Sequence, residues 1–330
     1  MITRPALTQI ADDTYQLRLP LPFALNHIQV YLLRGSNGWT IVDCGINYEP
    51  ARKVWQDAFT ELNFGFADID KIVLTHVHPD HFGLAGWLQK GASEAGKDIT
   101  IYLSPRENQQ VLDVWQSDRD KNFGAWLKYN GLPDDFANQV NNSLGSTLEM
   151  TYPHPTGFAH IQPDSDVQLG NRTFQTTLAP GHSDGQLIFY DPEDKLLLSG
   201  DHVLMRITPN IGLWEDSDPN PLGAYIESLS GLQSREVRLA LPGHRRLIED
   251  WSGRIAELLS HHDHRLEVVV NAMEKDAHTP YEVAQHIFEV ERFTPHEWRF
   301  AIAETLSHLE LLRVRGIVQQ DTDTQSFSLA

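Results

Sequence analysis

The apolar and polar positions fall first into short strand-like runs. Thr14–Leu19 and Ile28–Arg34 are rich in β-branched and aromatic residues, and Trp39–Asp43 follows the Gly35–Gly38 turn and is closed by Gly45. Glu49–Leu62 carries Val54, Trp55, Ala58, Phe59 and Leu62 at helical spacing. Lys71–Thr75 reads as a buried strand, Phe82–Gln89 as a helix and Ile99–Leu103 as another strand. From Pro105 to about Ser146 the pattern turns helical, with Trp115, Phe123, Trp126, Leu127, Phe136 and Val140 at positions expected to be buried. Strands resume at Asp166–Leu169, Phe174–Leu178, Gln186–Tyr190 and Lys195–Ser199, followed by a helix over Leu222–Leu232 and a buried strand at Val237–Leu241.

After Trp251 the rhythm changes. Ile255–Met273 is one long helical pattern. Thr279-Pro280-Tyr281-Glu282 and Thr294-Pro295-His296-Glu297 each place a Thr N-cap, a Pro at the first helical position and a Glu three residues after the cap. The helix that begins at Pro295 carries Glu297, Glu304 and Glu310 against Arg299 and Arg313, a mixed and slightly acidic polar face, and Trp298, Ile302, Leu306, Leu309 and Leu312 are spaced for burial against the α/β unit or a second subunit. Gly316–Ala330 alternates weakly, as either a small hairpin or a frayed tail. The pattern divides the chain into an α/β unit over residues 1–250, with a helical insertion at about 105–146, and a mainly helical unit over 251–330.

The 330 residues hold 26 Lys+Arg against 45 Asp+Glu, a net charge of −19. So acidic a chain repels phosphate backbones and anionic membranes unless a local basic patch overrides the average, and the longest basic cluster is the Arg245–Arg246 pair. The single cysteine, Cys44, forbids an intrachain disulfide. No apolar run is long enough for a transmembrane helix, and the N-terminus does not read as a signal peptide. The expectation is a cytoplasmic protein with a small-molecule substrate, a homodimer being possible, and no membrane or nucleic-acid partner.

Histidine, at 16 residues, is the outlier. His76-Val77-His78-Pro79-Asp80-His81 follows a predicted strand. Alternate side chains of an extended segment share a face, so His76 and His78 can grip one cation. Beyond the bend at Pro79, Asp80 and His81 can address a second. Three glycine turns each leave a predicted strand with one ligand type: Gly181-His182, Gly200-Asp201 and Gly243-His244. Glycine there lets the backbone turn sharply and approach an ion closely.

These residues resemble the metallo-β-lactamase superfamily, whose signature is His-x-His-x-Asp-His followed by a His, a bridging Asp and a final His. The resemblance covers roughly Ile10–Asp250. It implies a four-layer αββα sandwich with the site at one edge of two sheets. It also implies that His76, His78 and His182 hold one metal, that Asp80, His81 and His244 hold another, and that Asp201 bridges them. Asp43 matches the strand-end Asp that orients a ligand from outside; a turn cap is its plainer reading. Asp80 is taken as the catalytic carboxylate as well as a ligand. Cys44 does not match the metal-binding Cys of the lactamases and is expected to be buried and inert. His202 is expected to pack beside the bridging Asp, and Ser183 and Ser199 to be turn hydroxyls. Imidazole and carboxylate ligands suit zinc, with iron or manganese also admissible.

Two cations sharing a water lower its pKa toward neutrality, so the implied reaction is hydrolysis. The layout resembles the branch that includes the human β-lactamase-like protein 2 and glyoxalase II-like proteins, with a winged-helix-like C-terminal domain. His261-His262-Asp263-His264-Arg265 is only reminiscent of the glutathione-holding region of glyoxalase II. Members of the branch act on RNA or on acyl compounds. Residues 251–330 hold seven Lys/Arg against thirteen Asp/Glu, which favours a small acyl ester or thioester over RNA. A phosphodiesterase or endoribonuclease and a lactonase are the alternatives. A non-catalytic binding module would predict a missing ligand, and none is missing. The insertion and the loop Met205–Pro221, with Arg206, Asn210, Trp214 and Pro219, are candidate pocket walls.

Overall fold

A computed structural model describes residues 5–115, 123–275, 278–321, 324 and 326–330, apart from the side chains of 114–115 and 141–147. The expected burial of Trp115 lies outside the described side chains.

Seven strands form the first sheet in chain order: β1 (Leu7–Ala11), β2 (Thr14–Pro20), β3 (His27–Gly35), β4 (Gly38–Val42), β5 (Ile69–Val73), β6 (Thr100–Leu103) and β7 (Phe158–His160). The first four are antiparallel neighbours, and β4 to β7 run parallel. The second sheet comprises β8 (Asp166–Leu169), β9 (Arg172–Leu178), β10 (Leu187–Asp191), β11 (Leu196–Gly200) and β12 (Leu239–Pro242).

Side chains alternate across a strand, and here the alternation builds three apolar layers. Tyr31, Leu33, Val42 and Val73 from the first sheet meet Leu187, Phe189, Leu198 and Leu241 from the second. The alternate residues Ile28, Val30, Leu32, Ile41 and Ile72 face outward against α1 (Glu49–Glu61) and α3 (Ala85–Glu94), where Trp55, Ala58 and Leu88 cover them. Ile188, Leu197 and Ala240 face outward from the second sheet into a third cluster. The result is the expected αββα sandwich.

That third cluster extends well beyond the sandwich. It takes in α5 (Phe123–Tyr129) and α6 (Asp134–Glu149) of the insertion, α7 (Pro221–Leu232), and the C-terminal helices α8 (Trp251–Met273), α9 (Pro280–Ile287) and α10 (Pro295–Val314). Both Thr N-caps form the anticipated boxes with Glu282 and Glu297. The tail is a hairpin of β13 (Val318–Asp321) and β14 (Ser326–Leu329).

The structure adds to the sequence pattern and departs from it in detail. The helix expected over Phe82–Gln89 is two helices, α2 (Pro79–Phe82) and α3. The strands β1 and β7 sit at the two edges of the first sheet and are short and poorly buried, so neither has a strong apolar signal. The mixed polar face expected for α10 is half-buried at Glu304 and Arg299. The helix is enclosed on most sides, and burial there extends to Thr305, Ser307 and His308. Trp298, Ile302, Leu306, Leu309 and Leu312 are buried within the chain itself. No helix among the described residues is long and apolar enough to cross a membrane.

Candidate metal centre

Every candidate ligand lies just beyond the C-terminal end of a strand. His76 and His78 follow β5, Asp80 and His81 belong to α2, His182 lies in the turn after β9, Asp201 follows β11 and His244 follows β12. The two sheets are joined there by the Leu187 N–H, which donates to the Thr75 carbonyl (2.9 Å), and by the Gln29 N–H, which donates to the Gly243 carbonyl (2.6 Å).

The seven residues converge. His76, His78 and His182 form one set of possible ligand atoms, and Asp80, His81 and His244 another; within each set the atoms lie within 4.8 Å of one another. His78 Nδ1 is 3.1 Å from His76 Nε2 and 2.9 Å from His182 Nε2. A tetrahedral zinc with bonds of about 2.0–2.1 Å places its ligand atoms about 3.3 Å apart, so the nitrogens are close to the spacing such an ion needs. Asp201 lies between the sets. Its Oδ1 is 3.4 Å from His81 Nε2, and its Oδ2 is 3.2 Å from His244 Nε2 and 3.7 Å from His182 Nε2. Asp80 Oδ2 is 3.1 Å from His244 Nε2.

The ring nitrogens turned away from this space fix the tautomers. His182 Nδ1 donates to the Asn210 carbonyl (2.9 Å), and His244 Nδ1 to the His27 carbonyl (2.9 Å). His81 Nδ1 donates to Asp43 Oδ2 (2.8 Å). Thr75 Oγ1 donates to Asp43 Oδ2 (2.8 Å), which leaves it to accept from His76 Nδ1 (3.0 Å). Asp43 also accepts from the Thr75 N–H (2.8 Å). It therefore orients ligands of both sets, from a backbone held at φ 60°. It is more than a turn cap.

Three polar atoms in the centre are buried without a hydrogen-bond partner: His81 Nε2, His244 Nε2 and Asp201 Oδ1. Buried polar atoms are rarely left so, and two imidazole nitrogens and a carboxylate oxygen aimed at one space fit a cation. Glycine at 243 is dictated by the same crowding. A Cβ there would lie 2.3 Å from Asp201 Oδ1 and 2.8 Å from His81 Cε1.

The electrostatics divide the centre. Burial, with the neighbouring imidazoles, holds His76 well below the usual histidine range. Burial and His182 bring His78 down to about 3, and burial also lowers His182. These three present lone pairs at neutral pH. In the other set burial works against charge, but Asp43 and Asp201 hold His81 well above its ordinary value. Asp201 and Asp80 likewise raise His244 to about 10 against burial. The protonated imidazoles in turn hold Asp201 well below the usual carboxylate range, although burial alone would raise it. Protons here occupy places that a cation would take, so a cation bound at this set would displace them.

Two bracing residues hold the ligand loops: Glu107, which the sequence pattern does not single out, and Asn210, expected only as part of a pocket wall. Glu107 lies in α4 (Pro105–Gln110), which is capped by Ser104 at the start of the insertion, and it is fully buried. Its Oε2 accepts from the Val77 N–H (2.8 Å), between His76 and His78. Its Oε1 accepts from Ser183 Oγ (2.6 Å) and the Gly185 N–H (2.9 Å), just after His182. One carboxylate thus ties together the two loops that carry the three-nitrogen set. The Ser183 hydroxyl is more than a turn group, since it donates to Glu107. The second residue is Asn210, whose Nδ2 donates to Glu304 Oε2 of α10 (2.9 Å) while its carbonyl holds His182.

The other candidates stand outside the ligand sets. His202 is fully buried, with Nε2 beside Ser228 Oγ (3.0 Å) and its ring edge-on to Tyr225. Cys44 is buried, and burial pushes its thiol well up. His262 packs against His308 among the C-terminal helices, and Arg265 lies over Phe288.

Residues 25–244, two-thirds of the chain, match the metallo-beta-lactamase superfamily. The chain belongs to that superfamily. Residues 266–328 match a metallo-beta-lactamase-like C-terminal domain. The chain is 25% identical over 319 residues to the probable metallo-hydrolase YqjP of Bacillus subtilis, across 93% of this chain and 94% of that one. A beta-lactamase domain protein from Burkholderia ambifaria superposes with a TM-score of 0.87 at 30% identity, over 100% of this chain and 96% of the other. A metallo-beta-lactamase family protein from Thermus thermophilus gives a TM-score of 0.85 at 29% identity, over 97% and 99%. The chain is a metallo-hydrolase of this superfamily.

Proposed function

We propose that this hydrolase is binuclear, that zinc is its favoured ion pair and that it cleaves a small acyl ester or thioester. The observation that carries the binuclear reading is Asp201, whose two carboxylate oxygens face His81 on one side and His182 and His244 on the other. When bound, a pair of divalent cations supplies a nucleophile from water at neutral pH and polarises the oxygen of the scissile group.

His76, His78 and His182 would hold one ion, Asp80, His81 and His244 the other, with Asp201 shared. Asp43 and Thr75 keep His76 and His81 in the ligating tautomer, and the His27 and Asn210 carbonyls do the same for His244 and His182. Asp80 is the more open of its pair, 17% exposed against 1% for His244. It is read as the catalytic carboxylate as well as a ligand, and His244 and His81 keep it ionised against burial. Charge supports an acyl substrate over RNA, because the chain carries −19 overall and its C-terminal unit is itself acidic.

The test is a hydrolysis panel of thioesters, esters, lactones, phosphodiesters, RNA and β-lactams on protein loaded with zinc, iron or manganese. Ester or thioester turnover that is highest with zinc and lost in Asp201→Ala is expected. Turnover confined to RNA or phosphodiesters would overturn the acyl reading, and saturation at one ion per chain would overturn the binuclear one.

A further inference from the structure

An arc of aromatic rings borders the metal edge. It begins at Phe23, in the turn between β2 and β3 that leads into His27, whose carbonyl holds His244. Phe23 stacks on His296 of α10, with centroids 5.9 Å apart and 11° between planes. His296 meets Phe300 edge-on at 5.0 Å, and Phe300 meets Trp214 edge-on at 5.9 Å. Trp214 in turn lies 6.0 Å from Phe123 and from Trp126 of α5. Trp214 belongs to the loop of Asn210, whose carbonyl holds His182 and whose side chain reaches α10 at Glu304. The first turns of α10 therefore cross the metal edge from beside one ligand to beside another.

Arg299 lies on the stripe of α10 that faces this arc. His296, Arg299 and Ala303 are spaced to share one side of the helix. His296 touches the β2–β3 turn, and Ala303 packs so near Gly212 that a Cβ on that glycine would lie 3.0 Å from the Ala303 Cβ. The Arg299 guanidinium sits over the Phe300 ring, 4.5 Å from its centroid. Its Nε is buried with no hydrogen-bond partner, while the residue as a whole is only half-buried. Burial pushes its pKa down to about 10.

Several arginines of this acidic chain pair with carboxylates: Arg106 with Asp184, Arg172 with Asp191, Arg254 with Glu257 and Arg313 with Glu310. No such pair forms at Arg299 among the described residues. A desolvated charge without a partner is costly, and a planar guanidinium is suited to grip a carboxylate with two parallel hydrogen bonds.

We infer that Arg299 is the anion-recognition residue of a substrate subsite, and that the ligand class is a small molecule with an aromatic or apolar body lying along the arc and a carboxylate on the guanidinium. This deepens the acyl-hydrolase reading and rests on it only for the reaction, because the subsite itself follows from packing and charge.

The test is binding, followed by intrinsic tryptophan fluorescence, since Trp214 and Trp126 border the arc. The metal-loaded and metal-free proteins are titrated with 3-phenylpropionate, its neutral amide and phenyl phosphate. The carboxylate is expected to bind about tenfold or more tightly than the amide in both states. Arg299→Gln should abolish that preference, and Arg299→Lys should restore part of it without the two-point grip. A preference that survives in Arg299→Gln, or that appears only with metal, would overturn the inference, as would no carboxylate binding at millimolar concentration. Tighter binding of phenyl phosphate than of the carboxylate would overturn the carboxylate assignment. On matched anionic and neutral thioesters, Arg299→Gln should lower the kcat/KM ratio by the same factor. If no acyl compound is turned over while the Arg299-dependent carboxylate preference stands, the hydrolase reading falls and the subsite remains. If turnover proceeds with an unchanged ratio, the subsite falls alone.

Discussion

Replacing Glu107 tests whether the first ligand set is held from the insertion. In Glu107→Ala the Val77 and Gly185 N–H groups lose their acceptor in a fully buried position, while Ser183 Oγ keeps Gln110 Oε1 at 2.9 Å. Losing this acceptor at two buried donors, at about 1–3 kcal/mol each, gives an expected loss of about 2–6 kcal/mol. Glu107→Gln keeps an oxygen for Ser183 and Gly185 but turns an NH2 toward the Val77 N–H. It should cost about 1–3 kcal/mol. Stability alone would not distinguish a brace from an ordinary buried group. The discriminating measurement is affinity for the first ion, by competition with a chromophoric chelator. Val77 lies between two ligands and Ser183 and Gly185 follow a third, so both variants should lose about 10- to 100-fold in affinity, as when the outer partners of ligands are removed. Thr305→Val is the control. Thr305 is equally buried, but its hydroxyl donates to the Ala301 carbonyl within α10. It should lower the unfolding temperature without weakening the first ion. Wild-type affinity in Glu107→Gln, with only a lowered unfolding temperature, would refute the bracing role.

Asp201→Ala should drop the metal content from two ions to at most one and abolish turnover. His202→Gln, which can still bond Ser228, should retain most activity; equal losses in elemental analysis and rate would mean that the shared ligand is misassigned. Burial raises Glu304 from 4.5 to about 7 against the opposing effects of Arg265 and Asn210, so the folded protein binds its proton more tightly than the unfolded chain does. Wild-type stability should therefore fall relative to Glu304→Gln as pH rises from about 4.5 to 7, by at most about 1.4 kcal/mol per pH unit; urea denaturation at several pH values reads this difference, and parallel curves would count against it. Removing residues 251–330 strips cover from Leu222, Tyr225 and Ile248 and should give an aggregating protein by light scattering. A monodisperse, active fragment would disprove that dependence.

The candidate ligands were legible because histidine and aspartate beside glycine, just after apolar strands, are rarely placed so without a reason. The sandwich was legible because period-two runs name the faces of each strand. Glu107 was not. In the sequence it is a glutamate in the first turn of a short polar helix, a position that is usually solvated. Its burial arises only when the turn after β9 and the loop after β5, some hundred residues apart in the chain, arrive on either side of α4. The same holds for α10. A helix enclosed by neighbours on most sides has no clean polar face, so its charges could not be sorted into solvated and buried by spacing alone.

These late-emerging contacts share a direction. The three-nitrogen set is held by Asp43 through Thr75 from the first sheet, by Glu107 from the insertion, and by Glu304 through Asn210 from the C-terminal helices. The other set takes its outer partners from Asp43 and the His27 carbonyl, both on the first sheet. By hydrogen bonds the insertion and the C-terminal unit are thus tied to one ion position, while α10 touches the loop behind the other through the stacking of His296 on Phe23. Changes at Glu107 of α4 or Glu304 of α10 should weaken the first ion selectively, whereas changes at Asp43 should weaken both. Because α10 also carries Arg299 along the same edge, an anion seated there would press on the helix that steadies His182. Substrate binding and the geometry of the first ligand set would then be coupled through a single helix.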